Sequence, residues 1–424
     1  MTGQTQDITV PDLTLAAAVS RDAADPLASY RDRFDIPGDV IYLDGNSLGV
    51  LPKGVAERVA DVVASEWGTG LIRSWNAAGW IDLPRRVGAR IAPLIGAGPD
   101  CVVAADSTTV NLFKVVSAAL SLRPDRTRIV TETRNFPTDN YIAEGVIRQC
   151  GGRHRLVHVD RPQDIAAALD GDTAVLMLTH VNYRDGSLHD MAGLTRAAHD
   201  AGALVVWDLA HSAGALVVDL AGCDADFAVG CGYKYLNGGP GAPAFLYVAP
   251  RHHGGFRQPL SGWFGHRDPF EFAPRYDAAG DIGQYLCGTP PVLSMVALDA
   301  ALDVWDGVNM TALRTKSQAL TSYFIELVET RCAGHGLTLI SPRDPDARGS
   351  QVSFTHGEGG YAIVSALIAE GVIGDFRAPD VLRFGFTPLY TGFADVWHAV
   401  DRLAAIMDER RWDRPEFHAR KAVT

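Results

Sequence analysis

Lys234 stands between Tyr233 and Tyr235 in CGYKYLNGGPG (231–241), after the apolar run DFAVG (226–230) and just ahead of Gly238, Gly239 and Gly241. An ε-amine in apolar surroundings loses part of its preference for the charged form and becomes a nucleophile. The glycines behind it let the backbone approach a ligand closely. A stem lying on apolar surface with its ammonium in water is the structural alternative. Upstream, ALVVW (203–207) runs straight into Asp208, with His211 close behind. A carboxylate at the end of an apolar strand needs a cationic or hydrogen-bonding partner, because desolvating it alone is costly. Capping a following helix would also supply one.

Ser107, Thr108 and Thr109 follow CVVAA (101–105) and open the helical pattern VNLFKVVSAAL. Free N–H groups at a helix start, hydroxyls and the positive dipole end form a phosphate cradle; a plain N-cap has the same composition. Thr179 and His180 end the run AVLML (174–178). Arg383 interrupts the apolar strand pattern of VLRFGFTPLY (381–390). It either pairs with a buried acid or clamps a substrate carboxylate with its guanidinium fork. Asp208, His211, His180 and His189 match no metal-ligand spacing, so no metal is expected. Pyridoxal phosphate needs an anion site, an acid to keep its ring nitrogen protonated, and a lysine for the Schiff base. The residues supply all three in that chain order.

These groups must be delivered by elements. The runs CVVAA, RIVT (128–131), AVLML, ALVVW, DFAVG and AFLYV (244–248) are apolar throughout, as strands covered on both faces are. Helical segments such as MAGLTRAAHDAG (191–202) alternate with them, which predicts β-α-β units, a mainly parallel sheet and an α/β fold. In such a sheet ligand groups gather at the carboxyl ends of the strands, where the residues above fall. DAADPLASYRDRF (22–34) predicts a helix leading into the body. The last third changes character. A long helix over about 310–333 precedes LTLIS (337–341), SQVSF (350–354), the helix GYAIVSALIAEG (360–371), VLRFGF (381–386) and a final helix. That pattern is a separate α+β domain.

A net charge of −12 without a basic patch argues against nucleic acid or an anionic membrane as partner. No apolar run is long enough to span a bilayer, and MTGQTQDITVPDLTL lacks the pattern of a secretory leader. The six scattered cysteines include no C-x-x-C pair, as expected of free thiols in the cytoplasm.

From about residue 30 onward the sequence resembles the bacterial kynureninases, fold-type I pyridoxal-phosphate hydrolases. The resemblance rests on YLDGNSLG (42–49), LIRSWNAAGW (71–80), DSTTVNLFK (106–114), NFPTDNYIAEG (135–145), LTHVNYRDG (178–186), WDLAHSAGA (207–215), GCGYKYLNGGPGAPAF (230–245), QPLSGWFGH (258–266), CGTPP (287–291) and RFGFTPLY (383–390). It implies a large domain at 46–305 around a mainly parallel seven-stranded sheet, and a smaller α+β domain at 306–424. An N-terminal segment, 1–45, would pack with the small domain. It implies hydrolysis of L-kynurenine, and possibly of its 3-hydroxy derivative, to anthranilate (or 3-hydroxyanthranilate) and L-alanine, in tryptophan breakdown and NAD supply. It also implies pyridoxal 5′-phosphate as cofactor and a homodimer with shared sites. By motif, Lys234 would be the Schiff-base lysine, with Asp208 on the ring nitrogen, His211 beside it and Tyr233 as proton relay. Phe136 would stack on the ring, with Pro137, Thr138 and Asp139 following and Asp139 on the hydroxyl side. Thr108, Thr109 and Tyr233 would hold the phosphate, with Trp263 and Thr289 reaching it from the second subunit, and Thr179 would touch the cofactor. Arg383 would take the substrate carboxylate, and Asn46, Ser47, Trp75 and His266 would line its pocket. The competing reading in the same fold, a cysteine desulfurase, would need Cys287 as a reactive loop thiol.

Overall fold

The computed structural model describes residues 12–256 and 258–420. Most of the N-terminal stretch read above for a leader therefore lies outside the described residues. Seven strands form the main sheet: β1 (Val102–Ala104), β2 (Arg128–Glu132), β3 (Arg155–Val159), β4 (Thr173–Thr179), β5 (Leu204–Asp208), β6 (Phe227–Cys231) and β7 (Ala244–Val248). Their order is β1-β7-β6-β5-β4-β2-β3. All neighbours are parallel except β7, which runs antiparallel to both β1 and β6. The all-apolar runs at β4 to β7 are fully buried, as continuous hydrophobicity requires when helices cover both faces. One exception was illegible: β3 lies at the sheet edge, and RLVHV leaves most of its side chains partly exposed, so no apolar run marks it.

The predicted helix over 22–34 is corrected. An α-helix spans Leu15–Ala23, capped by Thr14, and Ala28–Arg33 forms a separate 3-10 turn. Pro26 has no N–H to donate and divides the two. The C-terminal part follows the expected pattern, with helices Met310–Arg331, Gly360–Ala369 and Phe393–Asp408. They cover an antiparallel sheet of β8 (Thr338–Leu339), β9 (Gln351–Thr355), β10 (Asp375–Arg377) and β11 (Val381–Gly385) in the order β10-β11-β9-β8. Phe324 meets Phe354, Phe384 and Phe386 at the centre of that core.

One short segment joins the two bodies to the reactive loop. Ile41–Tyr42 pairs in parallel with Val372–Ile373, and Gly385 N donates to Leu43 O at 2.7 Å. A few residues on, Gly49 N donates to Tyr233 O at 2.8 Å. The stretch 41–49 is thus hydrogen-bonded to the small sheet at one end and to the lysine's own loop at the other.

Candidate active site

Asp208 ends β5 and Thr179 ends β4, and the two are register partners. Lys234 lies just past β6, and the turn before helix Thr108–Ser121 lies just past β1. Parallel strands ending on one edge bring these groups together. Lys234 Nζ is 3.1 Å from His211 Nε2 and 6.0 Å from the centre of the Phe136 ring. His211 is buried, and burial, reinforced by Lys234 and by Arg383 and Arg377, holds its pKa well below the usual imidazole range. It therefore stands beside the lysine as a neutral imidazole.

Two buried acids share this space. Asp208 Oδ1 accepts a hydrogen bond from Ala210 N at 2.8 Å. Burial raises its pKa to about 6, against the opposing effects of Lys234 and that N–H. Asp139, in the first turn of helix Pro137–Gln149, is pushed well above the usual carboxyl range by burial and by Asp208. Among the described residues, neither of its side-chain oxygens has a partner. A buried carboxyl group left so bare is costly, and a polar ring held between Lys234 and Asp208 would supply what it lacks. The residue set fits pyridoxal 5′-phosphate: an amine for the aldehyde, an acid for the ring nitrogen, and a second polar group for the ring hydroxyl.

A hub missed at the sequence level fixes the ring-facing wall. Asn135 accepts from Thr179 Oγ1 and from Phe136 N (2.8 Å), and donates to Thr131 Oγ1 at 3.1 Å. Thr179 thus orients the segment carrying Phe136, whose ring is set edge-on to Tyr183 at 5.1 Å. The signal was the Asn that opens NFPTD, read only as part of a motif.

At the anion end, Ser107 is the N-cap, accepting from Val110 N at 3.3 Å, which leaves the hydroxyls of Thr108 and Thr109 beyond the cap. Lys114, fully buried, anchors this turn by bonding Asp106 and Tyr285 O, each at 2.5 Å. Thr289 faces the same turn across a cavity of about 180 Å3 that includes Ala105 and Asp106. Trp263 stacks edge-on against Phe264 (4.5 Å), which in turn meets Trp75 at 6.0 Å. His266 Nδ1 accepts from Asp268 N at 2.9 Å. Among the described residues, no hydrogen bond or ring contact within the chain joins Trp75, Trp263, His266 or Thr289 to Lys234, Asp208 or Asp139.

Arg383 meets the expectation of a buried acid as its partner. It is buried and sits directly opposite Asp375 in the β10–β11 ladder. Nη2 donates to Asp375 Oδ2 (2.6 Å) and Ser47 Oγ (2.7 Å), and Nη1 donates to Tyr183 O (2.8 Å). Asn46 lies beside it; with the amide oxygen turned toward Arg383, Nε donates to it at 3.2 Å while the amide nitrogen reaches Asp44 at 3.2 Å. Asp44 has its pKa raised to about 7 by burial and by Asp375, with Arg383 opposing. The ion pair with Asp375 was not foreseen, because DFR is too short to read as a strand.

The lysine loop tolerates no side chain at Gly49. A Cβ there would lie 2.3 Å from Lys234 O and 2.7 Å from Asn237 Cα, both backbone atoms. Gly49→Ala is therefore expected to displace Lys234 and lower kcat/KM by roughly 10²-fold, the cost of about 1 Å of misplacement. Steady-state kinetics would check this; an unaltered kcat/KM would mean that the loop yields without moving the amine.

The seven-stranded sheet, the groups at its carboxyl edge and the lysine after β6 define a fold-type I pyridoxal-phosphate enzyme. Solved structures share the fold. The apo cysteine desulfurase of Thermococcus onnurineus NA1 superposes with a TM-score of 0.74 at 20% identity, covering 90% of this chain and 97% of that one. A C-DES mutant with glycine covalently linked to its PLP cofactor gives 0.75 at 17% identity, over 88% and 98%. Residues 313–403 match the kynureninase C-terminal domain family. Kynureninase of Burkholderia mallei (strain SAVP1) is 54% identical over 415 residues, 97% of this chain and all of that one. That of Pseudomonas fluorescens is 54% identical over 407 residues, covering 95% and 98%. The chain belongs to the kynureninase family, hydrolases acting on carbon–carbon bonds in ketonic substances.

Proposed function

We propose that Lys234, Asp208 and Tyr233 carry the family's reaction here: L-kynurenine and water give anthranilate and L-alanine. The observation supporting this most directly is the placing of Lys234 Nζ 3.1 Å from His211, with two buried acids near enough to feel its charge. Pyridoxal 5′-phosphate, when bound, supplies an electron sink conjugated to the substrate α-carbon. Asp208 holds the proton on its ring nitrogen. Lys234 takes the proton from the α-carbon and later returns one. Burial raises the pKa of Tyr233, so its phenol stays protonated and can donate as the β–γ bond breaks. Arg383 orients the substrate carboxylate, and Asn46, Ser47, Trp75 and His266 belong to the same pocket. Phe136 to Asp139 and Thr179 line the ring, and Thr108 and Thr109 bind the phosphate.

A homodimer completes the site, with a second copy bringing its Trp263 and Thr289 to the phosphate end. The apolar side chains left open in one copy support this: Ile72 and Phe272 are 77% and 76% exposed, with Trp67 and Leu71 also exposed. No described helix is long and apolar enough to cross a membrane. All six cysteines are free thiols, and on that ground we place the enzyme in the cytoplasm, where thiols stay reduced.

Anthranilate release from L-kynurenine, set against sulfide release from cysteine, tests the reading; sulfide without anthranilate would overturn it. Cys287 Sγ is held against Leu260 O at 3.1 Å rather than presented on a free loop. Tyr233→Phe is expected to lower kcat by about 10² or more, the usual contribution of a positioned proton donor, with KM little changed. A kcat equal to wild type would remove the phenol from the proton path.

A further inference from the structure

Asp375 serves two cations. Its Oδ2 lies 2.6 Å from Arg383 Nη2 and 2.6 Å from Arg377 Nη2, and Ser47 Oγ accepts from both, at 2.7 and 3.3 Å. The ladder explains the convergence. Asp375 and Arg377 are two apart on β10, hence on one face, and Asp375 is opposite Arg383. The two arginines differ in what remains free. Arg383 has a side chain only 1% exposed, and four of its five N–H groups are engaged by Asp375, Ser47, Tyr183 and Asn46. Arg377 has a side chain 42% exposed. Its Nε is without a partner, and Nη1 meets none among the described residues. Asp375 Oδ1 is likewise unpartnered among the described residues.

A single incoming carboxylate cannot be held bidentately by Arg383 unless an existing bond is given up. We infer that Arg377 is a second guanidinium for the substrate's α-carboxylate, offering its free Nη1 beside Arg383 and so fixing specificity for amino acids over amines. This rests on the reading that Arg383 faces that carboxylate. Charge supports it. Two guanidiniums face Asp375 and Asp44, and Asp44 has its pKa raised to about 7 by burial and by Asp375, so the cluster holds excess positive charge near neutrality. An anion restores the balance. Proximity supports it too. Arg377 is near enough to His211 and Tyr233 for its charge to oppose protonation of the one and favour ionisation of the other. Ser47, which it bonds, belongs to the stretch that ends on Tyr233 O.

The test uses the cofactor-loaded enzyme and two probes: L-kynurenine, and kynuramine, which has the same aryl ketone and amine but no carboxylate. Affinities are read by titration, together with kcat, KM and the thermal midpoint. Arg377→Gln is expected to weaken L-kynurenine by about 10- to 100-fold, the worth of a charge-assisted hydrogen bond. Kynuramine should bind as before, and kcat should fall far less than KM rises. Arg377→Lys keeps the charge on Asp375 but not the planar fork, so it should show a smaller loss, again confined to L-kynurenine. Equal weakening of both probes, or of neither, in a variant with a normal midpoint would overturn the inference. Arg383→Gln separates the two levels. If it abolishes the preference for L-kynurenine while the Arg377 variants leave it intact, Arg377 is only structural. If Arg383→Gln also leaves the preference intact, the placing of the carboxylate itself falls.

Discussion

Lys234→Ala is expected to lower the rate of anthranilate formation by about 10⁴-fold or more. The substitution removes both the amine that binds the cofactor covalently and the base at the α-carbon. Losses in groups that act as one unit do not add, so Lys234→Ala combined with Tyr233→Phe should be little worse than Lys234→Ala alone. The visible absorbance of the cofactor's Schiff base should also be absent from the purified variant. Borohydride reduction of wild type followed by peptide mapping should place the label on the peptide containing Lys234. A label elsewhere, or a variant retaining both colour and turnover, would refute the assignment.

Asp208→Asn is expected to act in opposite directions on stability and on catalysis. In the cofactor-free protein the carboxyl has its pKa raised from 3.8 to about 6, chiefly by burial. A folded-state pKa above the unfolded one means that the native state binds more protons between those values. Stability therefore falls as pH rises through that window, and the full cost stands at neutrality. It amounts to about 3 kcal/mol at pH 7 and vanishes below about pH 4. Asn carries no charge to desolvate, so the cofactor-free variant should resist urea better than wild type at pH 7, with the gap closing toward pH 4. Loaded with cofactor, the same variant should lose about 10³-fold in kcat, because the charge opposite the ring nitrogen is gone. A variant less stable at pH 7 than at pH 4, relative to wild type, would contradict the electrostatic account of this site.

The parts legible in the sequence were those governed by one rule each. Continuous apolar runs marked buried strands, and the polar residue ending a run marked the candidate edge; Asp208 and Lys234 were singled out that way, whereas Thr179 entered only with the family resemblance. Illegible parts depended on pairings that no local pattern announces. Asp375 gains meaning only opposite Arg383, and Arg377 only across Asp375 from it, yet β10 has three residues and no pattern. Asn135 looks like an ordinary loop residue until Thr179 and the Phe136 amide converge on it. The edge strand β3 escaped because solvent reaches most of its side chains. The helix expected across 22–34 failed because local propensity was allowed to outweigh Pro26.

The stretch 41–49 has a mechanical consequence. It is clasped by Ile373 and Gly385 on the C-terminal side and by Tyr233 on the other, and it carries Asn46 and Ser47 between the two grips. Any swing of the C-terminal body is thus a pull on the same strap that steadies the amine. The arginine cluster and the lysine loop are thereby tied to one another through a single short length of backbone.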